Sequence, residues 1–166
     1  VFPQSPARME SGIGPITLCD ATKYPCRIAG EVKNFDPGQY MDLKEARRMA
    51  RFSQLAVAAA GLAIQDANLN FSQGARDRFG VVIGNGIGGF PTMEDNARIL
   101  IEKGGMRMSP FFISMILPNM AAANISRIYG LKGYTSTVIT ACAAGTQAVG
   151  DATEAIRRGA ADVILG

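Results

Sequence analysis

Histidine and tryptophan are both absent from this 166-residue sequence, and cysteine occurs only three times. The absence of histidine removes the base that most often activates a serine or cysteine nucleophile. Three thiols without a histidine also supply too few ligands for a zinc site, so we expect no metal. An odd number of cysteines, with Cys19 and Cys26 only seven positions apart, argues against a disulfide framework and indicates a reducing compartment.

Long apolar runs and strong charge are missing as well. The longest apolar run, residues 55–64, has ten residues and contains Gly61, whereas a membrane-spanning helix needs about 20. The net charge of +3 is too small to predict nucleic-acid binding. No basic segment followed by an apolar stretch opens the sequence. We therefore expect a soluble cytoplasmic protein with no membrane insertion and no nucleic-acid partner.

Helical and strand patterns alternate along the chain, and a hydrophobic content of 48% suffices for the core of one domain. Residues 1–9 carry two prolines and no periodicity, so we interpret them as a leader or a cloning remnant and place the folded part at 10–166. Short apolar runs predict buried strands at 79–83, 137–140 and 162–165. Capping signals and apolar periodicity predict helices at 42–68, 92–102, 119–129 and 143–158. This alternation predicts an α/β layered fold with a mainly parallel sheet.

Cys142 falls at the predicted turn from strand 137–140 to helix 143–158. Free backbone N–H groups and the macrodipole at a helix N-terminus favour an anion, and hence the nucleophilic thiolate. The small neighbours Ala141 and Ala143 leave room for a substrate carbonyl, and one N–H group is placed to form half of an oxyanion hole. A cysteine among alanines is also typical of a small buried hydrophobe, so both interpretations stay open at this point.

Gly84, Gly86 and Gly89 stand in the GxGxxG spacing of a dinucleotide-binding turn, directly after a predicted strand. That fingerprint requires a second strand with an acidic residue about 20 positions further on. The acidic candidate, Glu102, lies at the end of the same predicted helix, and no strand fits between. We therefore expect no nucleotide cofactor. The alternative is that the glycines let backbones approach closely or let a ligand pass.

Lys44, Arg47, Arg48 and Arg51 recur at i, i+3, i+4 and i+7, which places them on one face of the predicted helix. Such a stripe is typical of a solvated face. The functional alternative is the docking of an acidic partner.

The segment 109–119, with the sequence SPFFISMILPN, contains two adjacent aromatic residues between prolines. Pro-flanked aromatic segments of this kind rarely form regular structure. The segment is typical of core packing or, alternatively, of an apolar tunnel wall or an interface.

Three motifs, TACAAGTQA, GNGIGG and SPFFISMILPNMAAANIS, together resemble the β-ketoacyl-acyl-carrier-protein synthases of fatty-acid synthesis. The resemblance runs from about residue 10 to residue 166 in the order and spacing of the family. Ile87 within GNGIGG indicates type II, because type I enzymes tend to have another glycine there. The presence of Cys142 indicates a condensing enzyme rather than a chain-length-factor homologue.

The resemblance implies a thiolase-like fold, no cofactor, and a ping-pong condensation in two halves. An acyl chain passes from acyl carrier protein to Cys142, and the carbanion of a decarboxylated malonyl carrier protein then attacks the thioester. Ile87 is implied along the acyl tunnel, and Phe112 is implied to reach the partner's tunnel in a homodimer. The strand before Cys142 is implied to be an edge strand that pairs with its twin in that dimer. The residues implied in carrier-protein docking are Lys44, Arg47 and Arg48.

The resemblance also implies a partial N-terminal half of such a domain. The family's two catalytic histidines, a lysine and a gating loop belong to a C-terminal half, and a first strand with its following helix is absent as well. In the family that strand lies between the strands 79–83 and 162–165, which we expect to lack their shared neighbour. We therefore expect a chain that is poorly stable alone and inactive in condensation. The alternative function is a noncatalytic interaction or dimerisation module.

Overall fold

The computed structural model describes residues 11–69 and 75–166. The chain falls into two compact units, Val1–Asp36 and Pro37–Gly166. The predicted leader at 1–9 lies outside the described residues. Every helix in the described part of the chain is too short or too polar to cross a bilayer.

The first unit contains an antiparallel pair of strands, β1 (Ile13–Pro15) and β2 (Ile28–Gly30). The carboxylate of Glu31 accepts hydrogen bonds from the Thr17 N–H at 2.9 Å, the Thr17 hydroxyl at 2.6 Å and the Leu18 N–H at 3.1 Å. These bonds stabilise the ionised carboxylate and lower the pKa of Glu31. They tie the segment after β1 to the end of β2.

The second unit is built on a parallel sheet. Its strands are β3 (Phe79–Gly84), β4 (Thr135–Val138) and β5 (Val163–Leu165), in the spatial order β4-β3-β5. Its helices are α1 (Leu43–Ala46), α2 (Arg51–Asp66), α3 (Phe90–Lys103), α4 (Phe112–Ile116), α5 (Met120–Tyr129) and α6 (Ala144–Arg157). The predicted α/β fold with a parallel sheet is confirmed.

Helices cover both faces of β3. Val81 packs in one buried cluster with Val57 of α2 and Ile125 of α5, whereas Val82 packs in another with Ala148 of α6. Successive strand residues point to opposite faces, so this division follows from the alternation along β3. A strand buried on both faces needs a continuous apolar run, and that run is what makes β3 recognisable in the sequence.

Within the described residues no strand lies between β3 and β5, as expected, but the two strands pair with each other and do not leave the facing edges unpaired. They pair in parallel, with Phe79 opposite Val163. Arg78 joins the segments that lead into the two strands: its guanidinium donates to the Asp162 carboxylate at 2.7 Å and to the Gly159 carbonyl at 2.8 Å. The Arg78 carbonyl accepts the Asp162 N–H at 2.9 Å. The two strands therefore satisfy each other's backbone groups directly.

The long helix predicted at 42–68 is two helices. Asp42 caps α1 as its sequence position indicates, because its carboxylate accepts the N–H groups of Lys44 and Glu45 at 2.8 and 3.2 Å. The chain leaves the helix after α1, and Ala50 takes an extended conformation with φ −70° and ψ 159°. Met49 and Ala50 are both buried, which favours this break over a continuous helix.

The break separates the four cations that were expected on one helix face. Lys44 lies in α1, Arg47 and Arg48 lie in the turn that follows, and Arg51 begins α2. The spacing rule for neighbouring side chains applies only within a continuous helix. The prediction of a single basic helix face is therefore wrong.

The remaining elements lie close to their predicted positions. Pro91 lies in the first turn of α3, and α5 ends at Gly130, whose φ of 65° is the left-handed conformation typical of a helix end. The strand predicted at 137–140 lies two residues earlier, as β4. Ile139, which the prediction included in the strand, follows the last residue of β4 and is exposed. The segment 109–119 contains the regular helix α4, contrary to the expectation of irregular structure.

Candidate active site

Cys142 lies in the 3₁₀ turn Ala141–Ala143, between β4 and α6, where the sequence predicts a strand-to-helix turn. The residue is exposed, so the alternative of a small buried hydrophobe does not fit its position. Ala141 has φ +48°, a left-handed conformation that residues other than glycine rarely adopt. The chain therefore turns sharply at this point and presents Cys142 just before the N-terminus of a 14-residue helix.

Gly84 allows the end of β3 to touch the first turn of α6. A Cβ atom at position 84 would lie 2.3 Å from the carbonyl oxygen of Ala144 and 2.6 Å from the amide nitrogen of Gly145. No real side chain tolerates such distances, so this contact requires glycine. In contrast, a Cβ atom at Gly86 would have no neighbour within 4 Å. The interpretation that glycines permit close backbone approach is confirmed at Gly84.

The loop after β3 packs in the same way against the end of α4. Gly88 has φ +80°, and a Cβ atom there would lie 2.4 Å from the Ile116 carbonyl oxygen. That same carbonyl accepts the Gly89 N–H at 3.1 Å. Two of the three sequence motifs are therefore in direct backbone contact.

Glu102 lies within α3, as predicted, rather than at the end of a second strand.

Asn85 connects its own motif GNGIGG to the segment 109–119 and to the end of β4, and sequence reasoning did not single it out. Its backbone N–H donates to the Val138 carbonyl, at the end of β4, at 2.9 Å. Its side-chain Oδ1 accepts the N–H groups of Ile87 at 3.2 Å and Gly88 at 3.0 Å, and its Nδ2 donates to the Pro118 carbonyl at 3.1 Å. An asparagine between two glycines is typical of a side chain that bonds the backbone two or three residues on, and this signal was available in the sequence.

Ile87 and Phe112, the two implied tunnel residues, lie on the two segments that Asn85 joins. Ile87 is 65% exposed in the loop between β3 and α3. Phe112 is half-buried at the first residue of α4. The structure therefore brings their segments together through Gly88 and Pro118.

Of the implied docking residues, Arg48 contacts the segment 109–119. Its guanidinium lies over the Phe111 ring, 5.0 Å from the ring centre, and 4.0 Å from the Glu45 carboxylate. Lys44 and Arg47 are exposed. Glu45 also pairs with Arg127 of α5, a partner that the local sequence does not indicate. These three cations, Lys44, Arg47 and Arg48, are called the basic surface below.

Two concave regions lie near these segments. A cavity of about 250 Å³ is lined by the start of α2 and by Gly88, Gly89, Pro91 and Thr92. A larger groove of about 670 Å³ lies at the carboxyl ends of β3 and β5, and it is lined by alanines of α2, by residues at the start of α6 and by the ends of the two strands. Cys142 lines neither of them. Within residues 11–69 and 75–166, no group of three or more acidic or cysteine side chains is placed to hold a metal ion.

Comparison with known proteins shows the family. Residues 7–166 match the family described as beta-ketoacyl synthase, N-terminal domain. The 3-oxoacyl-[acyl-carrier-protein] synthase 2 of Staphylococcus aureus is 44% identical over 155 residues, covering 93% of this chain and 38% of the relative. The synthase 2 of Synechocystis sp. is 46% identical over 155 residues, covering 93% of this chain and 37% of the relative. The chain thus spans less than two fifths of the length of these relatives.

Solved structures agree with the sequence match. The ishigamide ketosynthase/chain length factor superposes with a TM-score of 0.79 at 29% identity, covering 92% of this chain and 38% of the matched chain. A type II PKS acyl-carrier protein in complex with its ketosynthase, bound to the hexaketide, gives a TM-score of 0.76 at 30% identity, covering 81% and 39%. These similarities confirm the predicted thiolase-like fold. The chain therefore belongs to the beta-ketoacyl synthase family, matching its N-terminal domain.

Proposed function

We propose that Cys142 is the acyl-accepting nucleophile of a 3-oxoacyl-acyl-carrier-protein synthase of fatty-acid synthesis. The observation that carries this proposal is the placement of an exposed thiol in a sharp turn directly before α6, in a chain 44% identical to a synthase 2. The thiolate attacks the thioester carbonyl of an acyl carrier protein. A new C–S bond forms at Cys142, and the carrier thiol leaves and takes up a proton.

The helix N-terminus supports this step electrostatically. Backbone N–H groups at the start of α6 face developing negative charge, as do the N–H groups of oxyanion holes in acyl transfer. The contact between Gly84 and Ala144 holds this start against the carboxyl end of β3. The thiol and the N–H groups are therefore supported by the sheet rather than by a loose loop.

The second half-reaction forms the carbon–carbon bond. Loss of CO₂ from a malonyl carrier protein leaves a carbanion, which attacks the thioester at Cys142 and releases the thiolate. The family resemblance places two catalytic histidines in the C-terminal half of the domain, and this sequence contains no histidine. We therefore propose that condensation needs the C-terminal half of the domain, and that the 166 residues alone do not turn over.

Carrier-protein docking is proposed for the basic surface. Lys44, Arg47 and Arg48 suit an acidic partner, since clustered charge speeds encounter and sets orientation. The stacking of Arg48 on Phe111 supports this assignment, because a carrier protein bound to Arg48 would then lie beside the segment that bears Phe112. A ketosynthase of similar structure is known in complex with its acyl-carrier protein. Ile87 and Phe112 would then line the tunnel for the acyl chain.

A homodimer is proposed through β4. Within the described residues β4 is the outer strand of the sheet, with its ladder groups on one side turned away from β3. Pairing with a second copy would cover that edge. We place the enzyme in the cytoplasm, in keeping with the three free cysteines of the described residues.

A noncatalytic interaction or dimerisation module is the second candidate. It is favoured by the basic surface and by the outer edge of β4, since binding a carrier protein or a second copy needs no catalytic base. Such a module binds carrier protein without accepting its acyl chain. Acyl transfer to Cys142 therefore separates the two functions.

Mass spectrometry of the product of the complete gene, incubated with an acyl-loaded carrier protein, tests the proposal. We expect the acyl mass on the peptide that contains Cys142, and no acyl group on the Cys142→Ala variant. Cys26→Ala is the matched control, because Cys26 is also exposed and belongs to the other unit. Carrier binding without acylation would favour the interaction module, and equal acylation of all three cysteines would refute a dedicated nucleophile.

A further inference from the structure

We propose that Asn85 is a positioning residue that holds the loop bearing Ile87 against the segment bearing Phe112, and thereby sets which acyl-chain lengths the enzyme accepts. This inference rests on the proposed acyl-transfer function. It assigns a role in specificity to a side chain that the resemblance does not place along the tunnel.

The geometry uses both ends of the Asn85 amide. Oδ1 closes the loop onto itself by accepting the N–H groups of Ile87 and Gly88. Nδ2 crosses to the other segment and donates to the carbonyl of Pro118. One side chain therefore performs two separable tasks: it shapes the loop, and it joins the loop to the end of α4.

The backbone of Asn85 fixes the position of this bridge relative to Cys142. Its N–H donates to Val138, the last residue of β4, four positions before Cys142. The bridge is therefore anchored to the nucleophile strand. Movement of the Ile87 loop away from Pro118 changes the space beside the tunnel without moving the thiol.

Two substitutions each remove the bridge to Pro118 while keeping the bonds that shape the loop. In Asn85→Ser the hydroxyl still accepts a backbone N–H two or three residues on, but it is too short to reach Pro118. In Asn85→Asp the carboxylate keeps both acceptor bonds, but it has no donor for the Pro118 carbonyl. Both variants therefore keep the loop and lose the bridge. Asn119→Ser is the matched control, because Asn119 follows Pro118 and its side chain makes no capping bond.

The experiment measures kcat/KM for acylation of the complete enzyme with one short-chain and one long-chain acyl donor. We expect Asn85→Ser and Asn85→Asp to raise the long-to-short ratio by about fivefold, the effect of one lost hydrogen bond on the rigidity of the Ile87 loop. We expect acylation by the short donor, and the ratio in Asn119→Ser, to stay within about twofold of wild type.

The possible outcomes are distinct. An unchanged ratio in both Asn85 variants overturns the proposal, and so does an equal loss with both donors, which is the result of a purely structural role. If Asn85→Ser does not fold, the ratio in Asn85→Asp decides. If the wild-type enzyme accepts neither donor at Cys142, the proposed function itself fails, and this inference fails with it.

Discussion

Gly84 and Ala144 are in backbone contact: the position that a Cβ atom of residue 84 would occupy is 2.3 Å from the Ala144 carbonyl oxygen. This contact seats the first turn of α6, and with it the turn that carries Cys142, on the carboxyl end of β3. Glycine at position 84 is thus a structural requirement of the candidate site, since any side chain would push the helix away.

Gly84→Ala is expected to abolish most acylation of Cys142 and to destabilise the protein by about 1–3 kcal/mol, because the added methyl group overlaps fixed backbone. Gly86→Ala is the control, since its added methyl group meets no atom within 4 Å. Both variants are compared by the rate of acyl transfer and by urea unfolding. Equal behaviour of the two variants would contradict the role given to the contact.

Charge on the basic surface is expected to control carrier-protein binding. Arg47→Glu should raise the Kd for carrier protein by about tenfold at low salt. The increase should be smaller as salt is added, because exposed charges are screened. Fluorescence anisotropy of a labelled carrier protein over a salt series measures this. A loss of affinity that is independent of salt would argue against electrostatic docking.

Arg48 is expected to act differently from Arg47, because it also stacks on Phe111. Arg48→Lys keeps the charge but loses the planar stacking of the guanidinium. We expect this variant to bind carrier protein with a Kd within about threefold of wild type and to reduce the rate of acyl transfer after binding. Single-turnover kinetics separate the two effects, and Arg47→Lys is the matched control. An unchanged rate of acyl transfer in Arg48→Lys would show that Arg48 acts through its charge and that its stacking on Phe111 does not contribute.

Replacing two helical glycines by alanine is expected to change stability in opposite directions. Gly61 of α2 lies beside Tyr129, and an added Cβ atom would lie 2.5 Å from the tyrosine hydroxyl, which donates to the Val57 carbonyl at 3.2 Å. Gly61→Ala should therefore destabilise by about 1–2 kcal/mol. Gly150→Ala, with open space around it, should stabilise by about 0.5–1 kcal/mol through helix propensity. Thermal unfolding of the two variants checks the difference in sign.

Acid is expected to weaken the anchor of β5. The hydrogen bond from Arg78, assisted by its charge, lowers the pKa of Asp162 below its ordinary value of 3.8. The unfolded chain therefore binds this proton more readily than the folded chain does. The contribution of Asp162 to stability is present above pH 3.8 and is lost as the pH falls through the lower, folded value.

Asp162→Asn should flatten that acid-induced fall in stability. Urea unfolding midpoints between about pH 6 and pH 2 measure it against wild type. Asp151→Asn, on an exposed part of α6, serves as the matched control. An unaltered acid profile in Asp162→Asn would show that the pair with Arg78 does not contribute.

Local sequence determines the position of Cys142 but not the hydrogen-bond partners of Asn85. The position of Cys142 follows from β-branched residues before it and helix-forming residues after it, and both signals act over a few neighbours. The bonds of Asn85 to Pro118 and Val138 span 33 and 53 positions. No local pattern specifies partners at that separation, although the turn within GNGIGG can be read from its composition.

The break at Ala50 illustrates the same limit. Residues 42–68 carry the apolar spacing and capping signals of one helix, yet burial of Met49 and Ala50 ends the helix after Ala46. Helix propensities differ by tenths of a kcal/mol per residue, whereas burying one large apolar side chain is worth about 1.5–3 kcal/mol. Packing therefore overrides local preference.

By itself the sequence determined the α/β class, the turn that carries Cys142, the close-packing glycines and the resemblance to the condensing enzymes, because each depends on residue type within a short window. Only the tertiary structure decided four contacts: the direct pairing of β3 with β5, the stacking of Arg48 on Phe111, the packing of α6 against Gly84, and the hydrogen bond from Asn85 to Pro118. These four relationships depend on contacts between distant residues, and such contacts form only when the burial of the whole core is satisfied at once.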